Sequence, residues 1–161
     1  MLLFLLAIAA VFFIEQRIKT YIRSAPPENI ARSFWNDRVR IQHVENTGFS
    51  ASRLKDRPEV VQAVSAITAF VSFLTVLPQL FRHRKDAGFL LGAGLLFGGS
   101  LANLFDHTFR GSVPDYLRFP KLPWKKVQSL VFNFADLCIV LGAVIVMLHA
   151  LFGKKDSAYG S

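Results

Sequence analysis

The sequence predicts an all-α membrane protein, a bundle of four transmembrane helices with a small sheet resting at the membrane surface. Three observations lead there. Apolar residues make up 52% of the 161 residues against 19% charged, and phenylalanine alone occurs 16 times, more apolar surface than a soluble domain of this size readily hides. The apolar residues gather in four runs, each near the ~20 residues a helix needs to cross a bilayer. Between the first two runs the pattern changes to a strand-like alternation.

The first helix is expected over about residues 1–21. Its run from Met1 to Ile14 is fully apolar, and the following turns to Tyr21 are amphipathic, as at a membrane interface. It has neither a charged leading region nor a small-residue cleavage pattern, so it reads as a retained helix rather than a signal peptide. A polar stretch follows, in which Val39 to Val44 alternates apolar and polar side chains with the period of a half-buried strand. Asn46-Thr-Gly48 supplies a turn. The sheet region is placed at about 30–58. The second, third and fourth helices are expected over about 60–81, 87–105 and 130–152, within one domain spanning 1–161. The segment from Asp106 to Ser129 holds Gly111, Pro114, Pro120 and Pro123 and reads as a loop with little regular structure.

The formal net charge is +8. No helix-turn-helix, zinc ligand set or aromatic-basic platform accompanies it, so nucleic acid is not an expected partner. Basic segments between apolar runs suit membrane lipids or topology instead. An even number of spans puts both termini on one side. The loop Arg82-His-Arg-Lys85 and the tail Lys154-Lys155 favour the cytoplasm for that side, yet Arg53, Lys55, Arg57, Lys125 and Lys126 lie in the opposite segments. Charge counting alone leaves the orientation open. The single cysteine, Cys138, reads as a packing residue; it builds neither a disulfide nor a metal site. No metal or other cofactor is expected.

Ionisable groups inside a bilayer are costly and ask for a reason. Asp136 stands just inside the fourth apolar run, with Asn133 one helical turn earlier on the same face. Asn103, Asp106 and His107 form a second polar cluster on the third helix. Taken alone, each set serves equally as hydrogen-bonded glue between helices or as chemistry. Gly94, Gly98 and Ala102 form a small-residue row that lets another backbone approach. Glu15 and Lys19 are spaced as an ion pair four residues apart, worth roughly a few tenths of a kcal/mol if exposed. Asp115, after Gly111-Ser-Val-Pro114, reads alone as an ordinary loop aspartate. Considered with Asp136 it becomes half of a possible pair, since two close carboxyls share one proton and together can activate water and protonate a leaving amine.

Five motifs together resemble those of the bacterial lipoprotein signal peptidase (signal peptidase II) family. Glu15-Gln-Arg-Ile-Lys19 resembles its Asp-Gln-x-x-Lys, and Val44-Glu-Asn-Thr-Gly48 its Val-x-Asn-x-Gly. The stretch Gly98-Gly-Ser-Leu-Ala-Asn-Leu-Phe-Asp-His107 resembles Gly-Gly-Ala-x-Gly-Asn-x-x-Asp-Arg. Gly111-Ser-Val-Pro-Asp115 resembles Gly-x-Val-x-Asp, and Phe132-Asn-Phe-Ala-Asp136 resembles Phe-Asn-x-Ala-Asp. They follow in the family's order over most of the chain.

The resemblance implies an aspartic endopeptidase with Asp115 and Asp136 as the catalytic pair. Asn46, Gly48, Asn103 and Asn133 would line or support the site, with Glu15, Lys19, Asp106, His107, Gly111 and Ala135 as further binding or supporting positions. It implies a four-transmembrane-helix bundle with cytoplasmic termini and an extracytoplasmic β-cradle, in the bacterial inner membrane. The implied substrates are diacylglyceryl-modified prolipoproteins, cut before the lipidated cysteine; the chain itself is expected to be a monomer. Three departures stand out: Glu15 for aspartate, Ala102 for glycine, and His107 for arginine, which exchanges a permanent charge for a titratable one. They leave room for a paralogue of altered specificity, or one that binds lipidated proteins without cutting them. A transporter using Asp136 and His107 as a proton path is a third reading, and it gives Asp115 no task.

Overall fold

The computed structural model describes residues 1–46, 73–74, 77–78, 80 and 86–152. Helix α1, Leu2–Ser24, buries Phe4, Ala7, Val11, Glu15, Lys19 and Ile22, a stripe at helical spacing. Leu2, Leu5, Leu6 and Phe13 face outward, which suits lipid and would not suit water. The chain then makes a helical turn α2, Pro27–Ile30, and a hairpin of β1, Arg32–Phe34, and β2, Val39–Asn46. The hairpin loop holds Trp35, Asn36 and Asp37 at positive φ. Ser33 and Arg40 both donate to the Asp37 carboxylate, which supports this uncommon backbone path.

Helix α3, Ala87–Arg110, starts at Asp86, whose side chain accepts from the Phe89 N–H, and ends at Gly111 with φ 74. A left-handed residue at this position is the usual glycine stop. Strand β3, Val113–Arg118, follows, then a helical turn α4, Lys125–Gln128, and the two-residue β4, Val131–Phe132. Helix α5, Phe134–Phe152, closes the described chain. The strands form one antiparallel sheet in the order β1-β2-β3-β4.

Helix α3 is gripped from two sides, and glycines set both approaches. A Cβ at Gly94 would lie 2.5 Å from the Ala7 Cβ, and one at Gly98 would lie 2.8 Å from the Val11 Cβ, both on α1. A Cβ at Gly99 would lie 2.5 Å from the Ala135 carbonyl oxygen, and one at Gly142 2.5 Å from that of Gly92. Close backbone approach is how helices associate where lipid offers no hydrophobic drive. Helices α3 and α5 are each long and apolar enough to span a membrane. Beyond these contacts, Ile22, Ile30 and Tyr116 form a small core joining α1 to the sheet.

Several expectations need correction. The small sheet expected beside the helices is present with four antiparallel strands, but two of them, β3 and β4, lie outside the region expected at about 30–58. The presumed loop from Asp106 to Ser129 contains the end of α3, the strand β3 and the turn α4. Strand β3 holds because β2 pairs with it in the register Val44↔Asp115 and Asn46↔Val113, and Pro114 lies where β4 does not reach. Helix α3 runs five residues past Phe105 because its charged end finds ionic partners. The last helix begins at Phe134, not near 130, since Val131–Phe132 is strand. The first helix extends to Ser24, and the strand expected at Val39–Val44 continues to Asn46. The second expected helix is described only at Phe73, Leu74, Leu77, Pro78 and Leu80, all helical. Gly48, the rest of the sheet region to 58, the basic loop at 82–85 and the tail lie outside the described residues.

Replacing Gly94 by alanine places its methyl against Ala7 and the Phe4 carbonyl. The expected result is a loss of about 1–3 kcal/mol of stability, the usual penalty of overpacking, seen as an earlier thermal transition in detergent.

Candidate active site

Asp136 is set in place by the start of its own helix. The Asn133 side-chain oxygen accepts from the Asp136 N–H at 2.9 Å, while the Asp136 Oδ2 accepts from the Asn133 N–H at 3.0 Å. This is a reciprocal capping box, built here from asparagine and aspartate. It satisfies helix-end donors and holds a carboxylate where the helix dipole favours negative charge. The other oxygen, Oδ1, accepts from the Asn103 Nδ2 at 2.8 Å, an amide contributed by α3.

The same Asn133 reaches the second acid. Its Nδ2 donates to the Asp115 Oδ1 at 2.8 Å, and the Asn46 Nδ2 donates to the Asp115 Oδ2 at 2.9 Å. Asn46 and Asp115 come from the adjacent strands β2 and β3, whose register sets them near each other. One buried asparagine therefore touches both carboxyls, and each of their four oxygens accepts one amide N–H. Burial pushes the Asp115 carboxyl up to about 6; the nearby Asp136 charge adds to the rise, and the Asn46 and Asn133 amides oppose it. An acid so placed keeps its proton to far higher pH than an ordinary aspartate.

Behind the pair lies a charged support. Lys19 is fully buried, with its Nζ 2.8 Å from the Asn103 Oδ1, 2.9 Å from the Asp106 Oδ2 and 3.3 Å from the Glu15 Oε1. It orients the very amide that donates to Asp136. Asp106 also accepts from Arg23 at 3.0 Å, Arg110 at 2.7 Å and Gln16 at 3.2 Å. The Glu15–Lys19 pair is thus no exposed interfacial pair, as its spacing alone suggested, but the centre of a buried network.

Of the expected residues, the structure brings Asp115, Asp136, Asn46, Asn103 and Asn133 into direct contact. Glu15, Lys19 and Asp106 stand one layer behind. Ala135 is buried where Gly99 meets its carbonyl, so it shapes packing. Gly111 turns the chain from α3 into β3, at a distance from the pair's hydrogen bonds. His107 is half-buried within electrostatic reach of Lys19, Asp106 and Asp136. Sequence reasoning missed Arg23, Arg110, Gln16 and Tyr116. Arg23 and Arg110 lie one turn from Lys19 and Asp106 respectively, the spacing that puts them on the same helix faces; that was the available signal. Tyr116 adjoins Asp115, but nothing in its surroundings announced a polar task.

The chain matches the family model described as Signal peptidase (SPase) II over residues 7–152. It is similar to the lipoprotein signal peptidase of Francisella tularensis subsp. novicida, at 30% identity over 97% of this chain and 93% of that one. A shorter match, 39% identical, links 52% of this chain to 45% of the lipoprotein signal peptidase of Serratia marcescens. Its fold is similar to that of a solved bacterial membrane enzyme, with a TM-score of 0.71 at 18% identity, covering 98% of this chain and 93% of that one.

Replacing Asp136 by asparagine removes a like charge beside Asp115 and should lower the Asp115 pKa from about 6. A carboxyl-selective infrared titration of the variant reads this as earlier loss of the protonated band when pH is raised.

Proposed function

The chain belongs to the signal peptidase II family, and from that premise we propose that Asp115 and Asp136 are its catalytic pair. Its activity is that of a lipoprotein signal peptidase, an aspartic peptidase of a bacterial membrane. The observation that carries the assignment of the pair is Asn133, which donates its side-chain amide to the Asp115 carboxyl and its backbone N–H to the Asp136 carboxyl. The raised Asp115 pKa supports it further, because burial, with the neighbouring Asp136 charge adding to it, leaves one group protonated near working pH.

The substrate is a prolipoprotein bearing diacylglycerol on its cysteine, with the peptide bond before that cysteine presented to the pair. A water held between the carboxyls loses a proton to the ionised member as its oxygen attacks the scissile carbonyl carbon. The protonated member donates a hydrogen bond to the carbonyl oxygen as negative charge builds there. When the C–N bond breaks, a carboxyl returns a proton to the departing amine, and the pair regains its starting charge. The two acids titrate as one unit, so neither is named as the base. The Asn46, Asn103 and Asn133 amides hold both groups in place without adding a cation that would strip the shared proton.

Four spans, with the second over about 60–81, would complete the bundle around α3. Two exposed tryptophans, Trp35 in the sheet hairpin and Trp124 before α4, suit the headgroup level of a membrane. They support a sheet lying at a membrane face; the family's arrangement makes that the outer face, with cytoplasmic termini and a substrate lipid lodged beside the helices. The working unit is a monomer.

Purified protein incubated with a diacylglyceryl-modified pre-lipoprotein should release the signal peptide, read by mass analysis. Asp115→Asn and Asp136→Asn should each reduce that release by roughly 10²–10⁴-fold, the scale of a lost acid or base, while still binding substrate. Binding without cleavage by the parent protein would favour the non-catalytic reading.

A further inference from the structure

We propose that Tyr116 is a positioning residue for the peptidase reaction, its hydroxyl holding the start of α5 so that Asp136 stays aligned with Asp115. The inference rests on the assignment of those two acids as the catalytic pair. Tyr116 is 4% exposed and follows Asp115 directly on β3. Its hydroxyl donates to the Glu15 Oε2 at 2.7 Å and accepts from the Phe134 N–H at 3.0 Å. Phe134 is the first residue of α5, two positions before Asp136.

A helix start leaves several N–H groups without intrahelical partners, and buried ones need acceptors. Asn133 and Asp136 satisfy two of them within the capping box. The Phe134 N–H lies outside that box and finds the phenol instead. The Ala135 N–H faces the Glu15 carboxylate, so the side chains of one tyrosine and one glutamate gather the helix end from across the interface with α1. Lys19 anchors Glu15 in turn, and the same Lys19 orients Asn103, the other donor to Asp136.

The phenol thus closes a loop of contacts running from Asp136 through Asn103, Lys19, Glu15 and Tyr116 back to the start of α5. Burial and the neighbouring Glu15 charge push the Tyr116 hydroxyl well above the ordinary tyrosine range, so it remains a donor throughout the working pH range. A phenylalanine at 116 would keep the packing on Ile22 and Ile30 and lose only the two polar contacts.

The test compares Tyr116→Phe with the parent, both full-length in detergent, on a diacylglyceryl-modified peptide. Expected is a fall in kcat of roughly tenfold or more, the scale of a small misplacement of a reacting group, with KM within about twofold of the parent. The apparent pKa values of the pH–rate profile should also move, since the environment of the pair changes. A kcat within twofold of the parent, or a loss confined to KM or to thermal stability, overturns the proposal. If Tyr116→Phe does not fold, Glu15→Asp is read by the same criteria; it draws the acceptor one methylene away from the phenol and keeps a carboxylate for Lys19. Asp136→Asn in the same assay separates the two claims. Full activity there refutes the catalytic pair itself, whereas an inactive Asp136→Asn beside a normal Tyr116→Phe refutes only the role of Tyr116.

Discussion

An ammonium group withdrawn from water must be surrounded by acceptors, and Lys19 meets that demand with three from two helices: Glu15 on α1, and Asn103 and Asp106 on α3. The desolvation penalty of a buried charge is several kcal/mol, and removing one partner of a buried pair commonly costs about 3–5 kcal/mol. The relative rotation of α1 and α3 is therefore narrowly set. The glycines at 94 and 98 permit the required separation. Everything nearer the two acids inherits that alignment, because Asn103 reaches Asp136 only from a helix held at this angle.

The two acids receive a different treatment from the lysine behind them. Their direct hydrogen-bond partners are neutral amides from β2, α3 and the junction of β4 with α5. A cation in contact would favour full ionisation, whereas amides orient a carboxyl and leave it free to share a proton. Positive charge is present, but one residue removed, where Lys19 acts on Asp136 through the Asn103 side chain. The fold thereby keeps the full charges of the support out of direct contact with the two acids.

Legibility in the sequence followed the range of the forces involved. Apolar runs and the small-residue row are local patterns, and they disclosed α1, α3, α5 and the face of α3 that meets α1. The alternation at Val39–Val44 disclosed β2. Strand β3 stayed hidden because Gly111 and Pro114 read as loop signals, and its pairing partner is far away in the chain. The depth of the Glu15–Lys19 pair was hidden for a similar reason: its spacing is that of any surface pair, and only Asp106 and Asn103 reveal it as interior. Asp115, an unremarkable loop acid on local grounds, acquired meaning through the resemblance of five motifs. The amide contacts that link it to Asp136 depend on tertiary structure. Tyr116 carried no signal in the sequence, because its hydroxyl has partners only after α1 and α5 have come together.

Position 133 answers to two unrelated demands at once, and this narrows what evolution can place there. Serine, threonine or aspartate would begin the helix well, but a hydroxyl has no amide with which to span to the neighbouring strand, and a third acid would repel the other two. Glutamine carries the amide but fits the helix start poorly. Drift at this site is therefore barred by the intersection of two permissive lists, each broad in isolation, that share a single member.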